Sequence, residues 1–385
     1  EDVALMKKMG LKSYRFSVSW SRILPDGTEK INQKGIEFYQ SLVRELKAAG
    51  IEPMVTLYHW DLPYALYLQG GWKNPQIPDW FAAYTKIVVE ALSDQVQYWM
   101  TLNEPQCFVG IGHLQGRHAP FLDEPASLRP VTRHVLLAHA KAVQTIRQYA
   151  KLPPKVGYAP TGPVFSPCGD ESEAAIAEAY RRTMEVEGCY SISWWCDPVL
   201  LGRVPEPMAK ALGADVFTPQ ELELLHQPLD YLGFNVYNAC AAQQPGSEYT
   251  ANTWQGSPRT AMEWPITPDC IYWAIRFLNQ RYGRPILITE NGMANTDFVM
   301  LDGKVHDPQR IDYVHRHLLA ARRALQEGYP LIGYTYWSIM DNYEWAEGYS
   351  KRFGLIYVDY RTMERIPKDS AAWYAHVIAT NGSEL

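Results

Sequence analysis

Residues 285–292, Pro285-Ile286-Leu287-Ile288-Thr289-Glu290-Asn291-Gly292, decide the fold of this chain. They read as a short apolar strand that stops abruptly at a carboxylate and an Asn-Gly turn. A second run of the same kind lies far upstream, Tyr98-Trp99-Met100-Thr101-Leu102-Asn103-Glu104-Pro105. Glu104 and Glu290 each stand at the carboxyl end of a buried strand. They meet only if both strands lie in one parallel sheet with those ends on a common rim. Paired carboxylates on such a rim are the chemical equipment for cleaving a glycosidic bond.

Outward from these two strands the chain alternates strand and helix nearly from end to end. Strands are predicted over residues 13–20 (SYRFSVSW), 53–60 (PMVTLYHW), 96–103, 155–160, 231–237 (YLGFNVY), 285–290 and 331–339. Helices are predicted over residues 1–9, 33–49, 77–93, 129–151, 171–188, 269–281, 307–327 and 368–378. This alternation specifies βα units around a parallel sheet. The expected fold is α/β, a (β/α)8 TIM barrel. Seven strands are visible where such a barrel has eight. The first strand is therefore expected upstream of Glu1 and missing from this sequence; a seven-stranded open sheet is the alternative. No linker, low-complexity run or internal repeat divides the chain, so residues 1–385 are expected to form one catalytic domain, incomplete at its N-terminus. Loops near residues 160–170 and 243–258 are rich in Pro, Gly and polar residues. They follow strands, where barrels carry their binding loops.

The bulk composition bounds the function. At 47% hydrophobic and 20% charged residues, the 385-residue chain has an ordinary soluble globular composition. A net charge of −6 leaves no basic footprint and argues against a nucleic-acid partner. No run of 18 apolar residues is present, so no membrane span is expected. The 13 Trp and 25 Tyr exceed what a core alone needs and suit a site that stacks sugar rings. The cysteines Cys107, Cys168, Cys189, Cys196, Cys240 and Cys270 form no C-x-x-C pair and read as buried free thiols. With the mild acidity they lean toward a cytoplasmic protein. No signal peptide is visible, and the chain reads as starting inside a domain.

Four strand ends carry candidate chemistry. Glu104 ends an apolar, aromatic strand, and Pro105 closes it. A carboxyl there is partly desolvated, which favours a proton-donating role; taken alone it also fits a structural cap. Glu290 is turned into the barrel mouth by Asn291-Gly292. A nucleophile must stay ionised and needs cationic or donor neighbours, for which Arg15 on the first visible strand is the candidate. Arg15 alone fits a surface-paired strand arginine equally well. His59 has no metal-ligand partner at i±4, so a metal is not expected there. Beside Trp60 on the rim it is a hydroxyl ligand or a satisfied core histidine. The last strand supplies Trp337, followed by residues 341–345 (DNYEW), which include Glu344 and Trp345. A Trp platform with a carboxylate–Trp pair is what a pyranose needs: an apolar face and acceptors for its hydroxyls. Each aromatic alone would be core; the four clusters together are not.

These motifs resemble glycoside hydrolase family 1, the β-glucosidase family. The matching stretches are LKSYRFSVSWSRILPDG, VTLYHWDLP, TLNEP, LGFNVY, ITENG and YWSIMDNYEWAEGYSKRFGLIYVDY, in the family's order and over nearly the whole chain. The resemblance implies a retaining β-glycosidase that removes terminal non-reducing β-D-glycosyl residues through a covalent glycosyl-enzyme. Its substrates would be small β-glucosides and oligosaccharides such as cellobiose, without metal or cofactor. It implies Glu104 as acid/base and Glu290 as nucleophile, with Arg15 and Tyr237 supporting the nucleophile. His59, Trp60, Asn103, Glu344 and Trp345 would bind sugar hydroxyls, and Trp337 would be the stacking floor. Asn235 would contact a hydroxyl or support a residue that does, and Trp264 would face the leaving group.

Some departures bear on function. The family's first βα unit, whose Gln binds two sugar hydroxyls, is missing here. Gln106 replaces a frequent aromatic, and Pro265 and Cys270 replace the commoner Glu and Gly, which touches leaving-group preference. The alternatives are a sugar-binding barrel without useful catalysis, a transglycosylase and a phospho-β-glycosidase. Glu344 would repel a 6-phosphate, and Lys351 reads as a solvated loop residue. Thioglucosidases lack the acid/base glutamate that Glu104 supplies. The choice of glucose, galactose or fucose and the oligomeric state are not set by these residues.

Overall fold

A computed structural model describes residues 1–167, 170–242 and 256–385. Cys168 and most of the loop expected at residues 243–258 lie outside the described residues. The chain forms two compact units, one of Ser13–Gly162 with Met184–Phe234, the other of Glu1–Lys12, Pro163–Thr183 and Asn235–Leu385.

The first unit is built on four parallel strands in chain order: Ser13–Ser17, Glu52–Tyr58, Tyr98–Asn103 and Lys155–Ala159. The register pairs Arg15 with Met54, Val55 with Trp99, and Trp99 with Val156. All residues of the third strand except Tyr98 are buried, as its unbroken apolar run requires. Helices Gln33–Ala48, Ile77–Leu92 and Leu128–Tyr149 connect these strands. The first buries Ile36, Tyr39, Val43 and Leu46, spaced by three and four residues along one face. Gly50, at φ 77, ends it in the left-handed conformation that glycine adopts without a steric cost. Tyr84 places its hydroxyl between the carbonyl oxygens of Val18 (3.0 Å) and Leu57 (2.9 Å), tying two strand ends to the helix behind them.

The second unit contains the parallel pair Ile286–Asn291 and Leu331–Tyr336, with Ile288 opposite Tyr334. Helices Cys270–Tyr282, Pro308–Gln326 and Asp369–Ala379 belong to it. The N-terminal helix Asp2–Lys8 leads into Met9, which is buried with Tyr313, Val314, Leu355, Ile356, Ala371 and Tyr374. Burial of these side chains, at about 25 cal/mol per Å² of apolar surface, is the main force holding the unit together.

All seven predicted strands are present, but several boundaries and elements differ. The strand predicted to Trp20 ends at Ser17, and a helical turn, Trp20–Ile23, follows. Trp20 is fully buried there, with its indole N–H on the carbonyl of Gly27 at 3.0 Å, so packing and a hydrogen bond override its strand propensity. Four short strands were not predicted: Val164–Ser166, Ala239–Ala241, Ile356–Val358 and Arg365–Pro367. Three helices, Ile192–Leu200, Glu206–Leu212 and Pro219–Leu225, occupy a stretch with no predicted element.

A buried ion network lies behind the loops of the second unit. Lys368 Nζ reaches Asp297 (2.5 Å) and Asp341 (2.8 Å). Arg310 pairs with Asp297 (2.6 Å) and Asp307, and Arg352 pairs with Asp341 (2.7 Å). Three acids face three bases, so the group is neutral although most of it is sealed from solvent. Asp341 also accepts the backbone N–H of Gly354 at 2.9 Å. The network thus ties the segment after the Glu290 strand to the loop that carries Glu344.

Candidate active site

In the first unit one hydrogen-bonded chain orders the residues at the strand ends. Arg15, half-buried on Ser13–Ser17, donates from Nη2 to Asn103 Oδ1 at 2.6 Å and from Nε to Met100 Sδ at 3.2 Å. A guanidinium only donates, so Asn103 must turn its oxygen toward Arg15 and its Nδ2 toward His59. Nδ2 meets His59 Nε2 at 3.1 Å, which makes Nε2 the acceptor and puts the ring proton on Nδ1. Burial, reinforced by Arg15, drives the pKa of His59 down to about 3, so the neutral ring persists at ordinary pH. Trp60 donates its indole N–H to the carbonyl of Asn103 at 3.0 Å.

Glu104 is 7% exposed and follows directly on the Tyr98–Asn103 strand. Its backbone N–H donates to Ala159 O at 2.8 Å. Both Glu104 (φ 42) and Trp60 (φ 77) adopt left-handed backbone conformations that L side chains rarely occupy. Such conformations cost about 1–3 kcal/mol and concentrate at functional sites.

In the second unit Glu290 is 4% exposed on the Ile286–Asn291 strand. Tyr237 donates its hydroxyl to Glu290 Oε2 at 2.6 Å. The backbone of Tyr237 is held in turn by the Tyr313 hydroxyl, 2.7 Å from its carbonyl oxygen. Thr289 donates to Asn235 Oδ1 at 2.6 Å, so the Asn235 amide stands beside the strand that carries Glu290. Gly292 follows Asn291 because a Cβ there would lie 2.0 Å from the carbonyl oxygen of Trp337. Trp337, half-buried just past Leu331–Tyr336, hydrogen-bonds the Glu344 carboxyl. Burial above all, and then the neighbouring charge of Glu290, push the pKa of Glu344 up to about 7. Part of the Glu344 surface faces solvent, but its Oε2 is sealed and has no hydrogen-bond partner in the protein. Trp345, at φ 46, is the third left-handed residue among the predicted site positions.

Trp264 joins this half as well, its ring 5.0 Å from that of Tyr237. Sequence reasoning missed the third member of that aromatic group. Phe353 is 2% exposed, with its ring 6.1 Å from both Tyr237 and Trp264. It was hidden inside a long motif whose other residues drew the functional reading. Lys351 donates to the carbonyl of Ala261 at 2.7 Å and so ties down a loop instead of standing solvated as expected. Gln106 is buried and hydrogen-bonded to the backbone of Thr161. Among the described residues no cluster of three His, Cys, Asp or Glu side chains is placed to hold a metal ion. Nor is any described helix long and apolar enough to cross a membrane.

Each unit therefore presents one buried glutamate at a strand end, flanked by polar–aromatic pairs. Residues 1–383 match the family model described as Glycosyl hydrolase family 1. The chain belongs to glycosyl hydrolase family 1. β-Glucosidase A of Thermotoga maritima is 41% identical over 391 residues, covering 100% of this chain and 86% of that protein. β-Glucosidase A of Acetivibrio thermocellus is 40% identical, covering 99% and 86%. Among solved structures, the Thermotoga maritima β-glucosidase in complex with glucoimidazole superposes with a TM-score of 0.89 at 40% identity, over 99% of this chain and 86% of that one. The fold class of this family 1 chain is the α/β TIM barrel, and its reaction class is retaining β-glycoside hydrolysis.

Proposed function

We propose that this family 1 hydrolase cleaves terminal β-D-glucosyl residues from small β-glucosides and oligosaccharides such as cellobiose, with residues 1–385 acting as one catalytic domain. Glu290 attacks the anomeric carbon while Glu104 protonates the departing oxygen. Glu104 then takes a proton from water, whose oxygen releases the sugar from Glu290 with its configuration retained. Such a double displacement needs the two carboxyls about 5–5.5 Å apart. Arg15 and Tyr237 support the nucleophile. His59, Trp60, Asn103, Glu344 and Trp345 bind sugar hydroxyls, Trp337 stacks on the ring, Asn235 backs the nucleophile strand and Trp264 faces the leaving group. A cytoplasmic setting is favoured by the free thiols of Cys189, Cys240 and Cys270.

The observation that carries this assignment is the 2.6 Å hydrogen bond from Tyr237 to Glu290 Oε2. It holds the carboxylate in place and favours the ionised form that a nucleophile needs. The glucoimidazole complex of the Thermotoga maritima enzyme supports a glucose-type ring as the bound sugar. The deciding experiment is Glu290→Gly assayed on 4-nitrophenyl β-glucoside with and without azide. Hydrolysis is expected to vanish and to return as glycosyl-azide formation when the small anion fills the gap. Unchanged turnover in the variant overturns the assignment.

A further inference from the structure

We infer that Gln106 is a positioning residue for Glu104, holding the acid/base in its proton-delivering geometry. This rests on the assignment of Glu104 above. The backbone ladder between Tyr98–Asn103 and Lys155–Ala159 ends with the Glu104 N–H on Ala159 O at 2.8 Å. It does not continue, because the backbone turns out of the strand at Glu104 (φ 42) and the Glu104 carbonyl goes to the Cys107 N–H instead. Two residues beyond Glu104 the Gln106 side chain takes over. Its Nε2 donates to the carbonyl of Thr161, and its Oε1 accepts the Thr161 N–H at 3.3 Å. A carboxamide carries the same donor and acceptor as a peptide unit, so Gln106 adds one more rung after the backbone has turned away.

That rung follows the Ala159 rung by two residues on each chain, from Glu104 to Gln106 and from Ala159 to Thr161. The turn that carries the glutamate is thereby fastened at its start and again two residues on to the chain that follows Lys155–Ala159. The Glu104 carbonyl accepts the Cys107 N–H at 2.9 Å, closing a compact turn into the wide helix Gln106–Leu114. The fastening has a strain to oppose, since Glu104 sits at φ 42. Gln106 is only 1% exposed, so its amide is committed to this contact and not to solvent. An apolar side chain of equal length would leave the Thr161 N–H and C=O without it and free the turn to relax.

The consequence is specific to proton delivery. A displacement of about 1 Å in a catalytic group can cost about 100-fold in rate. A poor leaving group needs its proton from Glu104 and suffers in full; a leaving group that departs as a stable anion does not. The test compares Gln106→Met with the parent enzyme on methyl β-glucoside and on 2,4-dinitrophenyl β-glucoside, with Glu104→Ala as the reference. The expected result is a loss in kcat/KM of about 10- to 100-fold on the methyl glucoside against less than about 3-fold on the dinitrophenyl glucoside. Equal losses on both substrates, or no loss on either, overturn the inference. If Glu104→Ala itself fails to discriminate between the substrates, the assignment of Glu104 falls and the inference with it. If only Gln106→Met fails to discriminate, the assignment stands and the inference alone is lost. Circular dichroism checks folding. Should Gln106→Met not fold, Gln106→Glu keeps the length and the acceptor for Thr161 N–H, loses the donor, and is judged by the same ratio.

Discussion

Glu344 offers the sharpest physical test of the proposed sugar site. Its carboxyl is held at a pKa of about 7, against an ordinary 4.5, by burial first and by the charge of Glu290 second. In the unfolded chain the same group ionises at its ordinary value. Between the two values the folded protein holds a proton that the unfolded chain has lost, so stability falls as pH rises through this window. A rise from 4.5 to about 7, at about 1.36 kcal/mol per pH unit, sets a ceiling of about 3 kcal/mol on that loss. Partial solvent exposure of the residue lowers the expected figure to about 2 kcal/mol. Glu344→Gln removes the charge with almost no change of shape. The variant is therefore expected to gain about 2 kcal/mol over the parent protein between about pH 5 and pH 8, in urea unfolding followed by tryptophan fluorescence. The same change should cost activity. An acceptor for sugar hydroxyls is lost, and kcat/KM on 4-nitrophenyl β-glucoside is expected to fall about 10- to 100-fold, the range for hydrogen bonds to a charged group. A stability gap that stays constant over that pH range refutes the reasoning, because a charge that burial does not penalise cannot produce the raised pKa.

Three further outcomes are expected. Lys368→Met takes the shared cation from Asp297 and Asp341 and leaves the sealed network one positive charge short, and urea unfolding should show a loss of about 3–5 kcal/mol; a loss below about 1 kcal/mol contradicts the network's role. Tyr237→Phe removes the hydroxyl on Glu290 and keeps the ring against Trp264 and Phe353. Steady-state kinetics should show kcat/KM reduced about 10- to 100-fold, with the unfolding midpoint little changed; full activity would separate Tyr237 from the nucleophile. Asn103→Asp replaces the amide that donates to His59 with a second acceptor, while Arg15 keeps its partner. NMR of the imidazole should then show the proton moved to Nε2, and an unchanged tautomer would contradict the chain of donors from Arg15.

Much of the architecture is legible because parallel strands buried on both faces leave long apolar runs. Tyr98–Asn103 and Ile286–Asn291 announce themselves this way, and each places its glutamate by ending in a turn. The helices between strands are equally plain where apolar residues repeat at three and four, as in Gln33–Ala48. Ile192–Leu200 was not legible, because all nine residues are buried and Pro198 stands inside it, so neither periodicity nor propensity marks a helix. The left-handed backbones of Trp60, Glu104 and Trp345 have no sequence signature, since none is glycine or asparagine. Phe353 and the Lys368 network depend on contacts between residues distant in sequence, which periodicity does not encode. Gln106 was visible only as a departure from a familiar motif; its purpose required the position of Thr161.

The measurement that reaches the centre of the account is chemical capture of the nucleophile. Incubation with 2,4-dinitrophenyl 2-deoxy-2-fluoro-β-glucoside should release the phenol in a single burst and leave a stable glycosyl-enzyme. The electron-withdrawing fluorine slows the second displacement by destabilising its oxocarbenium-like transition state. Peptide mass spectrometry of the digested adduct should then find the sugar on Glu290. A label on any other residue, or turnover with no covalent adduct, contradicts the assignment of Glu290 as the attacking carboxylate.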